Sequence, residues 1–503
     1  MNRDAILARV RNRDKPWDII VIGGGATGVG CAVDAASRGY DALLLEQHDF
    51  GKGTSSRSTK LIHGGVRYLA QGNITLVRAA LKERGILLRN APHVVHKQAF
   101  IVPCYSFWQK IYYGLGLKLY DLLSGKYSFG RSRILSKPEV LEHLPTISTQ
   151  HLTGGILYYD GQFDDTRLLI DLVTTAPQYG AAVLNYSKVT GFLNDDRGAV
   201  AGVTFEDRQT GEKFEVPGRC VINATGAYCD AVRTMSDGGS KPIVTLSQGV
   251  HLVFDRKFLP SDNAIMIPRT SDARVLFCIP WHGHTLVGTT DTPIINADLE
   301  PVALESEIDF VLETAGHYLT EKPNPSDILS IFTGIRPLVN SGAAKNTASL
   351  SRGHTIEINE AGLLTITGGK WTTYRHMAED AVDQAARLAG IGHRPSVTEN
   401  LKISTSESTE AQHASQLHPD LPYTRDDVIR AVRHEMAQTV EDVLARRTRA
   451  LFLNAKAAVE MAPKVVEIMA IELDKDNAWA EKQLSSFAQI AENYRIDQPR
   501  MHE

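Results

Sequence analysis

Apolar residues along the chain switch between two periods, and the switches mark its elements. From 18 to 46, DIIVIGGGATGVGCAVDAASRGYDALLLE predicts an apolar strand, a turn with Gly23, Gly25 and Gly28, a helix, and a second strand ending on Glu46. GRCVINATGAYCDAV at 218–232 brings another apolar strand to a small-residue turn. The stretch from Leu363 runs a strand through Gly368 and Gly369 into a helix with apolar residues at helical spacing. Between these, segments such as RVLFCIPWHGHTLVGTTD (274–291) alternate apolar and polar positions, which suits an antiparallel sheet. Residues 108–124 carry Trp108, Ile111, Leu115, Leu119 and Leu122 at helical spacing, with Lys110, Lys118 and Asp121 in a narrow stripe. That helix reads equally as a buried core helix or as one lying at a bilayer interface. A Ser- and Thr-rich stretch after 390 reads as a linker. Beyond it Thr424 and Asp427 have capping-box spacing, Asp replacing the usual Glu, ahead of a helical region.

These elements predict an α/β chain. It comprises a discontinuous Rossmann-like cofactor domain (1–80, 150–240 and 325–390), an antiparallel-sheet substrate domain (81–149 and 241–324) and a C-terminal helical domain (391–503). The length of 503 residues suits about two or three domains. With 43% hydrophobic and 22% charged residues the balance is globular. A formal charge of −4 provides no general field for nucleic acid, so affinity for an anion requires a local cation cluster. The 5 cysteines are scattered, without CxxC spacing or nearby histidines, and read as reduced core thiols with no metal site. The N-terminal MNRDAILARVRNRDK is too charged for a secretory signal, and no apolar run reaches spanning length. A cytoplasmic location is expected, with peripheral membrane attachment left open.

The first strand–turn–helix–strand unit is a dinucleotide cradle: Gly23 permits the turn, Gly25 the approach of a pyrophosphate, Gly28 close helix packing, and Glu46 hydrogen bonds to ribose. GKGTSSRSTKLIHGGVRYLAQG follows, in which Thr54, Ser55, Ser56 and Ser58 can meet phosphate or ribitol oxygens, and Gly64 and Gly65 let a planar ring approach. Ala224, Thr225 and Gly226 offer bare backbone at a second strand end. Alone they read equally as an ordinary turn; beside the cradle they suggest a long, extended cofactor. The helix after Gly368-Gly369 presents an N-terminal dipole that suits a ring edge gaining negative charge on reduction.

Taken together, these blocks resemble the FAD-dependent glycerol-3-phosphate dehydrogenases of the respiratory, quinone-linked type. The likeness covers GGGATG, TSSRSTKLIHGGVRYL, NATG, PWHGHTLVGTTD, FTGIRPL, SRGHTIEI, GGKWTTYR and the tail around VEDVLARRTR. The resemblance implies FAD as cofactor and oxidation of sn-glycerol 3-phosphate to dihydroxyacetone phosphate, with hydride passing to flavin N5 and electrons to a membrane quinone. It implies a phosphate clamp of Arg67, Tyr68, Arg336, Arg352 and Lys370. Gly65, Gly369, Lys370 and Thr372 are implied to join the FAD contacts. His251, as a substrate contact, and His63 are the proton-handling candidates, and Arg336 also orients the hydroxyl; the base is left unassigned. Attachment to the inner face of the cytoplasmic membrane follows from the resemblance, and a homodimer is compatible with it. Rival readings are an oxidase passing electrons to oxygen, an amine-oxidising relative, and a non-catalytic membrane-associated protein that holds FAD.

Overall fold

A computed structural model describes residues 1–70, 72–270, 274–339, 353–405 and 415–496, with only the backbone of Arg67 and Ala70. Its first sheet is built around Trp17–Ile22, parallel to Ala42–Leu45 on one side and Lys213–Asn223 on the other. Ala182–Leu184 and Leu364–Gly368 extend it in parallel, and His354–Ile358 closes one edge antiparallel. Ile19, Ile20 and Val21 are fully buried, as an unbroken apolar run in a parallel strand requires. One face is covered by helices Ala26–Ser37 and Tyr374–Leu388, which approach closely at Gly30, where a Cβ would stand 2.9 Å from the Tyr374 ring. On the other face Ile20 and Leu43 pack with Phe214, on the outer part of Lys213–Asn223, and with Phe205, on the strand Val200–Asp207 antiparallel to it.

The second sheet runs in the order Thr292–Ile294, Val244–Asp255, His284–Gly288, Leu276–Trp281, Ala264–Ile267, Val95–Cys104, Gly154–Phe163, Leu61–Ile62. Ile328–Val339 also pairs along Val244–Asp255. Its ladders are antiparallel as expected, except that Ala264–Ile267 lies parallel to Val95–Cys104. Three strands differ from the expected domain boundaries, one of them Leu61–Ile62, which pairs with Gly154–Phe163 in the second sheet. Gly154–Phe163 and Ile328–Val339, assigned from sequence to the cofactor domain, form long antiparallel ladders with Val95–Cys104 and Val244–Asp255. Their backbone groups are thereby committed to the second sheet.

The stretch after 390 departs from its linker reading. Ser396 Oγ donates to Asp34 Oδ1 at 2.6 Å, and Leu401 and Ile403 are buried in the core of the first unit. The rest of that stretch, 406–414, lies outside the described residues. The C-terminal unit comprises a short hairpin (Gln416–His418 with Leu421–Thr424) and helices that include Arg425–Glu435, Ala455–Leu473 and Asn477–Glu492. The capping box forms with Asp: the Thr424 N–H and hydroxyl donate to Asp427 Oδ2 at 2.8 and 3.0 Å. All five cysteines are buried and unpaired.

Helix Phe107–Ser124 has one buried and one exposed apolar stripe. Its inner stripe of Gly114, Leu117 and Tyr120 is buried, whereas Trp108, Leu115 and Leu122 are 76%, 69% and 76% exposed. Lys110 and Lys118 turn back onto the carbonyls of Thr153 and Ser132, so they do not flank the apolar face as free cations. Among the described residues no helix is long and apolar enough to cross a membrane.

Candidate active site

A cavity of about 690 Å³ is bounded by both sheets. On the first sheet its floor is the glycine turn after Trp17–Ile22. Gly23 has φ +111°, and a Cβ there would stand 2.7 Å from Ala224 O; a Cβ at Gly28 would overlap Gly23 O. The turn therefore folds onto itself and onto the neighbouring strand end in a way that only glycine permits. Glu46, half-buried just past the end of its strand, accepts the N–H groups of Gly24 and His48 at 2.6 and 2.8 Å. Burial raises its pKa, against the lowering effect of those two bonds. At the second strand end, Asn223 donates to Thr365 Oγ1 and Cys229 O and accepts from the Thr225 hydroxyl, which locks Ala224–Gly226 in place.

The turn after Leu364–Gly368 closes the other end. Gly368 and Gly369 are both left-handed, with φ +77° and +70°. A 3-10 turn, Trp371–Thr373, intervenes before helix Tyr374–Leu388, so the helix proper starts later than the glycine pair suggests. Trp371 Nε1 donates to Ser55 O at 2.8 Å, and the His63 N–H donates to Thr372 Oγ1 at 3.2 Å. Lys370 places its ammonium 3.9 Å from the centroid of the Tyr68 ring, a cation–π contact.

The second sheet forms the opposite wall. His251 and Arg336 stand on adjacent antiparallel strands, where His251 is paired with Phe332, Gly249 with Gly334, and Ser247 with Arg336. Directly paired residues share a face; lacking Cβ atoms, the two glycines let the Arg336 guanidinium lie over Gly249 and the Arg57 main chain lie against Gly334. Arg336 donates to Gln248 O at 3.2 Å and Thr289 Oγ1 at 3.1 Å, and lies 3.5 Å from Asp291 Oδ1. The His251 ring stacks on Phe332 with centroids 4.8 Å apart, and its Nε2 is 2.9 Å from Thr59 Oγ1. Burial, and then the charges of Lys60 and Arg336, push its pKa well below the usual histidine value, so the ring is neutral near pH 7.

Of the expected site residues, Gly23, Gly25, Glu46, Thr54, Ser55, Gly65, Ala224, Gly226, Gly369, Lys370 and Thr372 line this one cavity, together with His63, Tyr68, His251 and Arg336. Gly28 acts behind it as the packing glycine. Ser56 is absent from the lining; it is buried and donates to Gly53 O at 3.3 Å. Ser58 lines the cavity, with its hydroxyl donating to Asp165 Oδ2 at 2.7 Å. Arg67 lies in the short helix Val66–Ala70 with only its backbone described, and Arg352 falls outside the described residues. Sequence reading passed over Thr59, Gly249 and Lys52, which also line the cavity. Lys52 and Thr59 sit in the stretch 51–72 already singled out; nothing local marks Gly249.

Residues 18–375 match the family described as FAD dependent oxidoreductase, and residues 370–480 match the C-terminal domain of alpha-glycerophosphate oxidase. The mitochondrial glycerol-3-phosphate dehydrogenase of Rattus norvegicus is 40% identical over 537 residues, covering 95% of this chain and 73% of the relative. That of Homo sapiens is 39% identical over 542 residues, covering 96% and 74%. Among solved structures, the glycerol-3-phosphate dehydrogenase from Bacillus halodurans complexed with FAD has a TM-score of 0.79 at 29% identity, covering 99% of each chain. The L-alpha-glycerophosphate oxidase from Mycoplasma pneumoniae, with FAD bound, shares the fold, with a TM-score of 0.60 at 17% identity over 77% of this chain and 98% of that one. The cofactor is FAD, and the cradle at Gly23, the half-buried Glu46 and the left-handed Gly368-Gly369 turn fit such an extended dinucleotide.

Proposed function

The chain belongs to the FAD-dependent glycerol-3-phosphate dehydrogenases, and on that premise we propose that it oxidises sn-glycerol 3-phosphate to dihydroxyacetone phosphate in this cavity, with a membrane quinone as final acceptor. Arg336 and Lys370 receive the phosphate dianion, which guanidinium forks and an ammonium match in charge and geometry, and Arg67 and Arg352 are further cations of the clamp. His251, held neutral, is the final acceptor of the hydroxyl proton as the carbinol hydrogen leaves with its electron pair. Tyr68 shields the Lys370 ammonium from water and aims it, and His63 is a second proton-handling group at the cavity. Bound FAD supplies the hydride acceptor and the passage of the electron pair to the quinone. The exposed apolar face of helix Phe107–Ser124 supports attachment to the inner surface of the cytoplasmic membrane, where a quinone is within reach.

The observation that carries this reading is the sharing of one cavity by Arg336, Lys370 and a neutral His251 with the glycine cradle. An anaerobic titration of FAD-loaded protein with glycerol 3-phosphate tests it. Flavin absorbance is expected to bleach with substrate and to return on adding a quinone analogue. An unbleached spectrum refutes the reading. Return with oxygen and peroxide, but not with quinone, transfers the protein to the oxidases.

A further inference from the structure

The hydroxyls of the stretch 54–59 have separate tasks. Thr54 donates to Ile335 O at 2.5 Å, and Ser55 Oγ accepts the Ala26 N–H at 2.9 Å. Ser58 reaches Asp165 Oδ2 with its N–H at 3.1 Å and its hydroxyl at 2.7 Å, and Lys60 Nζ meets the same oxygen at 2.7 Å. Lys60 is left-handed, with φ 63°, and its N–H donates back to Ser58 Oγ at 3.0 Å. Both neighbours of Thr59 are thus tied to one buried carboxylate oxygen. Thr59 lines the cavity with Thr54, Ser55 and Ser58, and its Oγ1 stands 2.9 Å from His251 Nε2.

The His251 ring has no other polar support among the described residues. One face stacks on Phe332, its Cδ2–Nε2 edge abuts the Gly288 backbone, and Nδ1 is enclosed without a hydrogen-bond partner. The nitrogen that exchanges a proton is therefore the one the threonine hydroxyl covers. A hydroxyl both donates and accepts, so it can pass a proton on without a net change in its own.

We propose that the substrate's hydroxyl proton reaches His251 through Thr59, whose own hydroxyl proton moves to Nε2 as Oγ1 takes the proton of the alcohol. The inference rests on the reading that His251 is the final proton acceptor. The carbinol C–H pair leaves as hydride to the FAD of the proposed reaction, the carbonyl forms, Thr59 ends as a hydroxyl and His251 as an imidazolium, so atoms and electrons balance.

The test is anaerobic stopped-flow reduction of the FAD-loaded enzyme by glycerol 3-phosphate in T59V, which keeps shape and removes the hydroxyl, in T59S, which restores it, and in H251N. Loss of a proton-transfer group predicts about a 100-fold slower limiting rate for T59V. Half-saturation by substrate and the oxidised flavin spectrum are expected to stay near wild type, with T59S recovering within about 5-fold of wild type. The double variant T59V/H251N is expected to be no slower than H251N, because the two groups act as a unit. Wild-type rates in T59V beside a slow H251N overturn the relay and leave His251 as acceptor. Wild-type rates in H251N overturn the reading of His251 itself. A T59S as slow as T59V, with an altered flavin spectrum, reduces Thr59 to a packing role and overturns the proposal.

Discussion

Gly249 and Gly334, paired directly across two strands, set how far the Arg336 guanidinium can lie over the sheet beside His251. A Cβ on Gly249 would overlap the Arg336 guanidinium, and one on Gly334 would stand 2.7 Å from the carbonyl of Arg57. Gly249→Ala is therefore expected to raise KM for glycerol 3-phosphate while FAD stays bound, seen as normal flavin absorbance with weakened saturation. Arg336→Ala removes the charge-assisted contact itself, and a loss of about 2–3 kcal/mol in kcat/KM is expected, again with FAD retained. Release of the flavin would move Arg336 out of the clamp. Glu46 belongs to the opposite wall. Its carboxylate holds the Gly24 N–H of the cradle, so Glu46→Ala is expected to lower flavin content after gel filtration more than it lowers turnover of the molecules that keep FAD.

At the scale of elements, the helix Phe107–Ser124 joins a surface to the site. Tyr120, on its buried stripe, donates to Asp160 Oδ2 at 2.7 Å and accepts the Gly64 N–H at 2.8 Å, directly on the turn that carries His63 and Gly65. Asp160 is in turn bound by Arg84 at 2.7 Å. The opposite stripe exposes Trp108, Leu115 and Leu122, a contiguous apolar display that a water-facing helix does not need. The combined change W108S/L115S/L122S is expected to abolish co-sedimentation with anionic liposomes and leave anaerobic flavin reduction unchanged. Unaltered sedimentation would reassign the face. Hydrophobic spacing alone left this helix between two readings because it records how many apolar stripes exist and not which one is covered; the covering strands come from 95–104 and 154–163.

Across the whole molecule, a buried ion network fastens the C-terminal unit to the cofactor loop. Arg446 and Arg447 both bind Asp49; Lys52, which lines the cavity, meets Glu441 at 2.6 Å and Glu300 at 2.5 Å; Arg57 meets Glu300 at 2.7 Å. Such charges are costly to bury and costly to separate, so Asp49→Ala is expected to destabilise the protein by about 3–5 kcal/mol and to loosen FAD with it. The network also sets an acid limit. Burial alone would raise the pKa of Glu441, but Arg446 and Lys52 overcome it and pull the carboxyl down from its ordinary 4.5 to about 2. A depressed carboxylate stabilises fully above its unfolded value and less as pH falls through the folded one. The melting temperature is therefore expected to fall as pH drops from about 4.5 towards 2. Glu441→Gln should flatten that dependence, and differential scanning calorimetry reads both.

The cradle was legible because its signals are local: an apolar run, three glycines and an acid within one strand–turn–helix–strand unit, each with a steric reason that holds wherever the unit sits. The Thr424–Asp427 cap was legible for the same reason. Sheet membership of Gly154–Phe163 and Ile328–Val339 and the docking of Leu401 and Ile403 depend on partners many residues away, which alternate or compete for the same backbone and core. The tertiary structure alone decided these, together with the meeting of Thr59 with His251 and of Arg336 with Gly249. The 2.9 Å approach of Thr59 Oγ1 to His251 Nε2 brings a loop onto a strand 192 residues away, and no periodicity along the chain encodes it.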